Sequence, residues 1–479
     1  MSTLASTTNG VTSASGEVSK LAFGKAFFAF IAVGPLWLGL LQVPFDEFAG
    51  RYIVLTQVIL ILISAVMFTI EFRKANPRPL LLMIWLFNAA AFGIPGLSQI
   101  LSSTYPWPLL VSDEEIFAAQ LATIFSSLLL VFLIEMSSAE KAREVAVRRV
   151  DTFRLRNLTL FLVPALLYTF QLGGGLQAFF SSRGALSAAK SAAGLSKAQS
   201  GLFFTGTQSL TLLVCVCALI LRKREKNNAV ANIALFVSVS GLLIIANPLS
   251  ASRFWFFTVV TTLALATITL TPGRIRFGAM SVFIGILFIF PLADYFRREN
   301  RTVGSVGSSA WQTGDFDTLQ ITSSAINWFY QNGSVWGHQL MGAIFPMVPR
   351  SIWPSKPYDT GILIARANGM KFENISGPWV GEAVINFGFF GVVLFPIAMA
   401  YGARIIRRRT EFFPDDFGVI LGAFSVGYLP IVLRGSLIQA SGAAGIFTLL
   451  ALYLMPKVSS SKRLKSRLDV VPRQSAPTN

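Results

Sequence analysis

The sequence predicts an all-α, polytopic membrane protein of about twelve transmembrane helices with one large loop on the outer face. Three observations predict it. Only 13% of the residues are charged and 53% are hydrophobic, whereas soluble domains carry roughly 25% charge, and mean hydropathy is +0.61. Apolar runs recur at the length of about 20 residues that a helix needs to cross a hydrocarbon core. Lys and Arg gather on alternate sides of those runs, as the cytoplasmic bias of membrane proteins requires.

Residues 1–19 are rich in Ser, Thr, Gly and Ala and lack hydrophobic periodicity, which fits a disordered cytoplasmic lead. Lys20 and Lys25 then flank the start of an apolar run reaching Gln42. It is longer than the apolar region of a signal peptide and has no evident small-residue cleavage site, so we read an uncleaved first span. Further spans are expected at 52–70, 79–101, 115–135, 157–173, 202–221, 229–247, 254–271 and 275–293, which completes a first helical block over 20–293. After the outer loop at 294–378, three more are expected at 379–402, 416–433 and 436–455, in a block over 379–456 that leads to a basic cytoplasmic tail at 457–479. Cys215 and Cys217 lie two apart in an apolar run. They point to different helix faces and read as core thiols, neither a disulfide nor a metal pair.

A net charge of +17 would suit a nucleic-acid partner in a soluble protein. Its distribution excludes that reading. Lys20 and Lys25, Arg73 to Arg78, Lys141 to Arg156, Arg222 to Lys226, Arg274 and Arg276, Arg404 to Arg409, and Lys457 to Arg473 all fall on one side. That side is the cytoplasm, and it holds both termini. The 294–378 loop therefore lies outside. Within it, Leu319, Ile321, Ala325, Ile326, Phe329 and Tyr330 recur at rough helical spacing. The spacing predicts a helix lying flat on the membrane interface, with Trp328 and Tyr330 as anchors. A smaller outer loop at 173–201 carries Arg183, Lys190 and Lys197.

The informative cations are those on the outer face against the bias: Arg253, Arg297, Arg298, Arg301, Arg350, Lys356 and Arg434. Arg253, in NPLSASRF, and Arg434, in LRGSL, sit in connections so short that each side chain must lie at the mouth of a helix pair. Ionisable groups there are functional candidates, with snorkelling to headgroups as the plain alternative. A guanidinium stays charged and binds two phosphate oxygens at once. Forks from separate segments would form a diphosphate clamp, to which FPMVPRSIWPSKPYDTG would contribute Arg350 and Lys356. The acids on this face are Asp294, Glu299, Asp315, Asp317, Asp359, Glu373 and Glu382. Glu382 opens a span, with Asn386 one turn below. Glu382 and Asp315 are candidate general bases, or else salt-bridge partners of the arginines. His338, the single histidine, is either a base or structural. No phosphate loop, dinucleotide fingerprint, HExxH or Cys/His metal spacing occurs, so neither cofactor nor metal is expected.

Over residues 245–440 the chain resembles the Wzy-type oligosaccharide repeat-unit polymerases of bacterial surface polysaccharide assembly. The resemblance rests on GHQLMGAIFPMVPRSIWPSKP, on GEAVINFGFFGVVLF opening the next span, and on the earlier SASRF. It implies a GT-C-like, metal-independent membrane glycosyltransferase at the outer face of the inner membrane. Such an enzyme joins undecaprenyl-diphosphate-linked oligosaccharides, as donor and acceptor, into O-antigen, capsule or exopolysaccharide, and a chain-length regulator protein is an implied partner. Arg253, Arg350, Lys356, Arg434 and Arg298 would face the diphosphate. His338 is outside the family pattern. A glycan ligase needs the same leaving-group site. A transporter or flippase would need broken helices and polar groups at mid-membrane, whereas here the polar residues gather at one face.

Overall fold

The computed structural model describes residues 51–136, 146–181, 183–194, 197–289, 311–412 and 415–457. The expected first span at 21–42, Arg297, Arg298, Arg301 and the tail from 458 lie outside the described residues. Within them the chain is helical, apart from an isolated bridge between Arg148 and Lys457.

The elements run as follows. Helix α1 (Arg51–Arg73) is followed by α2 (Pro79–Phe87), a π-helical stretch (Asn88–Gly93) and α3 (Ile94–Ser102), which together make one span. Then come α4 (Asp113–Met136), α5 (Thr152–Leu172), the short α6 (Gly175–Phe179) and α7 (Arg183–Ala192), α8 (Lys197–Arg224), α9 (Ala229–Ile245), α10 (Arg253–Thr267) and α11 (Pro272–Ile284). The segment that follows contributes α12 (Thr318–Asn332), α13 (His338–Ile344) and α14 (Thr360–Ala367). Finally α15 (Trp379–Phe387) and α16 (Gly391–Arg407) are joined by a single 3₁₀ turn, and α17 (Asp416–Arg434) and α18 (Leu437–Leu454) form a hairpin.

Among the described residues eight helices are long and apolar enough to cross a membrane: Tyr52–Arg73, Pro79–Ser102, Asp113–Met136, Thr152–Leu172, Phe203–Arg224, Trp379–Thr410, Asp416–Arg434 and Leu437–Leu454. The chain is thus an all-helical, multi-pass membrane protein. Three other expected spans form shorter helices: α9 and α10, of 17 and 15 residues, and α11, of 13 residues, which runs on as a π-helical stretch, Gly285–Ile289, to the edge of the described residues. Local chemistry sets their limits. Asn228 caps α9 by accepting from Ala231 N at 3.1 Å, and Pro248 follows its end. Ile268 is extended after α10, and Thr271 caps α11 ahead of Pro272, because the residue before a proline avoids helical geometry.

Helices buried in an apolar setting must satisfy every backbone group internally, and one span shows how. At the π-helical stretch the ladder of α2 and α3 is interrupted, and Pro95 brings no N–H. Gln57 Nε2 of α1 donates to the freed carbonyls of Phe92 and Gly93, both at 2.8 Å. Gln120 of α4 closes the arrangement by donating to Gln57 Oε1 at 2.8 Å. At the other end of these helices, the buried Glu71 pairs with Arg78 at 2.8 Å, and Lys74 and Glu135 complete a staple among α1, α2 and α4.

Among the described residues two large apolar cores result, with a smaller one of Leu109, Ile321, Ala325, Ile364, Ala365, Ile375 and Ile385. The first gathers α1 to α4 with Phe283 of α11, Leu319 and Ile326 of α12, Trp379, Val380 and Val384 of α15, and Val392 of α16. The second gathers α5, α8, α9, α10 and α18. Helix α17 bridges them, giving Val426, Leu429 and Leu433 to the first and Phe417, Ile420, Phe424 and Tyr428 to the second. It approaches α10 closely at Gly427, where a Cβ would lie 2.9 Å from the Thr258 carbonyl oxygen. Thr258 Oγ1 donates to Gly427 O at 3.0 Å across the same contact.

Helix α12 forms where the spacing predicts it, but it does not lie flat on a surface. Its first nine residues, Thr318 to Ile326, are all buried, and it packs against α4 and α15. The physical reason is that its polar residues have partners inside the protein. Gln320 Nε2 donates to Trp107 O at 2.7 Å and Leu109 O at 3.2 Å, and Gln320 Oε1 accepts from Trp107 N at 3.0 Å. Just upstream, Gln99 Nε2 of α3 donates to Trp311 O at 2.8 Å and Phe316 O at 2.9 Å. We predict that Gln99→Leu, which strands two carbonyls, destabilises the protein by about 2 kcal/mol or more. Thr104→Ala, on an exposed turn, should leave the thermal midpoint in detergent unchanged; equal midpoints for the two variants contradict this anchoring.

Candidate functional site

The site is built where α10, α14, α15 and α18 begin and α17 ends. At its centre is the turn Gly314–Phe316 followed by Asp317, the residue before α12. Asp317 is fully buried and does not cap its own helix. Its Oδ2 accepts from Trp107 Nε1 at 2.8 Å, and its Oδ1 from Arg434 Nη2 at 3.1 Å. Arg434, the last residue of α17, also donates to Gly314 O. Arg253, the first residue of α10, pairs with Asp315. The Arg434 guanidinium sits 5.1 Å from the ring of Phe254, next to Arg253 in the chain. Two arginines from distant hairpins therefore converge on one turn and are aimed by its two aspartates.

The second part surrounds Glu382, which is 1% exposed. One of its oxygens, Oε1, accepts from Leu437 N at 2.9 Å, so Glu382 caps α18 from a different helix. The Thr360 and Ser436 hydroxyls stand beside the carboxyl, and Oε2 completes no hydrogen bond of normal geometry. Asp359 is the N-cap of α14, with Oδ1 accepting from Ile362 N at 3.0 Å and Oδ2 from Gln439 Nε2 at 2.8 Å. Thr360 N donates to Ser436 Oγ at 3.3 Å. Two helix N-termini thus meet at two carboxyl groups, and their partial positive charge suits that company. Asn386, one turn on from Glu382, accepts Leu340 N at 2.9 Å through its side chain and Gly337 N at 3.0 Å through its carbonyl. It pins the start of α13 to α15.

The proline-rich stretch at 345–361 forms the third part. Lys356 Nζ donates to Pro346 O at 2.7 Å and Val348 O at 2.9 Å. Arg350 donates to Lys356 O and to Pro357 O, and its guanidinium lies 4.0 Å from the Tyr358 ring, with Arg366 at 4.1 Å from the same ring. Burial, with Arg350 nearby, holds the Lys356 ammonium below its ordinary value. His338 Nε2 lies 3.0 Å from Ser355 O, and its ring meets Trp353 edge-on. Prolines leave such a stretch without a regular ladder, and these cations take up its loose carbonyls.

The expected residues therefore divide. Arg253, Arg434 and Asp315 come together, with Glu382 linked to them through the Arg434–Leu437 connection. Arg350 and Lys356 instead hydrogen-bond the carbonyls of their own loop. His338 is fastened to the same loop rather than to Glu382. Arg298 lies outside the described residues. The sequence reading gave no role to Trp107, Thr360, Ser436 or Gln439, and treated Asp317 and Asp359 only as outer acids. Asp359, directly before TGILIA, carries an N-cap signal. Trp107, in a YPWP loop, carries none.

Fold and site together define a multi-pass helical membrane protein with an arginine–carboxylate site at one end of its bundle. No known family, curated protein or solved structure matches the chain.

Burial pushes the Asp359 carboxyl above its ordinary value of 3.8, and Glu373 adds to the rise. The folded protein thus keeps this proton to higher pH than the unfolded chain. Its contribution to stability is complete below the unfolded value and is lost as pH rises through the folded one. We predict that Asp359→Asn flattens this fall. Thermal midpoints of both proteins between about pH 4 and pH 7 check it; parallel curves contradict it.

Proposed function

We propose that this protein is a membrane glycosyltransferase that polymerises undecaprenyl-diphosphate-linked oligosaccharide repeat units at the outer face of a bacterial inner membrane. In this reading the fold is GT-C-like with twelve spans and both termini in the cytoplasm, and a chain-length regulator is a partner. The observation that carries the proposal is the meeting of Arg253 and Arg434 at the turn 314–317.

The acceptor hydroxyl oxygen bonds to the anomeric carbon of the donor as the bond from that carbon to the diphosphate oxygen breaks. The hydroxyl proton passes to a carboxylate, and undecaprenyl diphosphate leaves with the electron pair of the broken bond. Charge develops on the leaving oxygen, and preorganised arginines stabilise it without rearranging. The aspartates fix each guanidinium beside the turn, where Arg434 keeps 17% of its side chain exposed for phosphate oxygens. In this reading Asp315, 20% exposed, takes the proton. Glu382 is enclosed and committed to Leu437 N, so it serves as a positioning residue. Arg350 and Lys356 act indirectly, by folding the loop that delivers Asp359. Neither a nucleotide sugar nor a metal enters this scheme.

Lysine keeps charge but loses the fork. Arg253→Lys and Arg434→Lys should each lower polymer formation about a hundredfold, the cost of about 3 kcal/mol of transition-state stabilisation. Arg404→Lys, on the cytoplasmic side, should not. Surface polysaccharide ladders from cells with matched membrane levels of each variant check this, and an equal loss at Arg404 contradicts it. Topology is tested separately: Cys replacing Ser308 should react with an impermeant thiol reagent from outside, and Cys replacing Ser459 should not. The reverse pattern contradicts the outer placement of the site.

A further inference from the structure

Next to the polar site is a feature the reaction scheme does not use. Between α15 and α16 the chain makes a single 3₁₀ turn, Gly388–Phe390, in the middle of the segment Trp379–Thr410 that is long and apolar enough to cross the membrane. Gly388 has φ 59, and the break leaves an open recess of about 450 Å³ lined by Phe329, Trp336, Phe387, Gly388, Phe389 and Phe390. Ser334 is its sole polar lining residue. The volume falls within the roughly 300–1,000 Å³ of small-ligand pockets.

The walls of the recess are fixed. Phe329 and Phe389 meet edge-on with ring centroids 5.7 Å apart. Gly337, at φ 83, lies so close to Phe387 that a Cβ would come within 3.0 Å of its ring. Trp336, 78% exposed, is held at φ 48, a left-handed conformation that bulky residues rarely adopt. Backbone held this way persists only where its surroundings over-determine it. Here Val335 N and Gly337 N, on either side of Trp336, are tied to the carbonyls of Ile385 and Asn386.

Two observations identify an occupant. The recess lies at the break in a segment long and apolar enough to cross the membrane, and its lining offers almost no hydrogen-bonding group. It also adjoins the polar site: Phe387 follows Asn386, and Glu382 lies five residues before Phe387 in α15, about 7.5 Å along the helix axis. A molecule that fits both places has a long apolar chain and an anionic head.

We infer that this aromatic recess seats the isoprenoid chain of a polyprenyl phosphate or diphosphate, with the headgroup directed toward Arg434 and Arg253. The inference rests on the proposed function for the identity of the chain. Aromatic faces give extended van der Waals contact to a branched, unsaturated chain.

The test uses the full-length protein in nanodiscs and undecaprenyl phosphate carrying a photoreactive diazirine on its chain. After irradiation, labelled peptides are mapped by mass spectrometry. The expected labels fall on Trp336 and on Phe387 to Phe390, and they are displaced by excess undecaprenyl phosphate but not by dioleoyl phosphatidylglycerol. Trp336→Ala, at an exposed position, should reduce labelling about tenfold. Labels elsewhere, or equal displacement by the phospholipid, overturn the inference on the unaltered protein, whether or not the variant folds. Specific labelling of a protein that makes no polymer upholds the recess and refutes the polymerase reading. Polymer made without recess labelling refutes the recess alone.

Discussion

The structure depends on one constraint: polar groups enclosed in an apolar bundle must find partners within it. The turn at 311–317 shows the constraint at work. Gln99 supplies donors to its carbonyls, Trp107 and Arg434 hold Asp317, and Arg253 holds Asp315. Removing one member of a buried charge pair costs about 3–5 kcal/mol because the other is stranded. The turn is thus kept in place by both cores at once, through α3 from the first and α10 from the second. Helix α17 joins the two cores along its length and delivers Arg434 at its end.

The same constraint accounts for the neighbouring parts of the site. Glu382 and Asp359 meet the N-termini of α18 and α14, where backbone N–H groups lack partners within their own helices. The carboxyls satisfy those groups and lock the α17–α18 connection, so Arg434 is held from both sides. The cations of the proline-rich stretch do the corresponding work for carbonyls. Enclosed side chains build the frame, while Arg434 and Asp315 stay 17% and 20% exposed; in the proposed reading these two meet a substrate.

Much of the fold was legible in the sequence because hydropathy is local. The runs at 52–70, 79–101, 115–135, 157–173, 202–221, 379–402, 416–433 and 436–455 all appear as helices able to span. What was not legible depends on contacts between distant residues. The spacing of α12 reveals a helix, but whether Gln320 faces water or the Trp107 backbone is decided by a segment more than two hundred residues away. Arg350 and Lys356 are visible as charges, yet their partners are main-chain carbonyls, which have no sequence signature. Glu382 stood out as an acid opening a span. Its role as the cap of α18 follows from the packing of α15 against the α17–α18 hairpin, which no local pattern encodes.

The central claim is that this arginine–carboxylate site transfers glycan from a lipid diphosphate without other reagents. The most direct measurement is glycan length after the purified protein, in liposomes, is supplied only with undecaprenyl-diphosphate oligosaccharide in the presence of excess chelator. The account predicts a ladder of products differing by one repeat unit. Activity that is absent in chelator and returns only with added magnesium or manganese would contradict it, and would reassign Asp315 and Asp317 as metal ligands rather than partners of the two arginines.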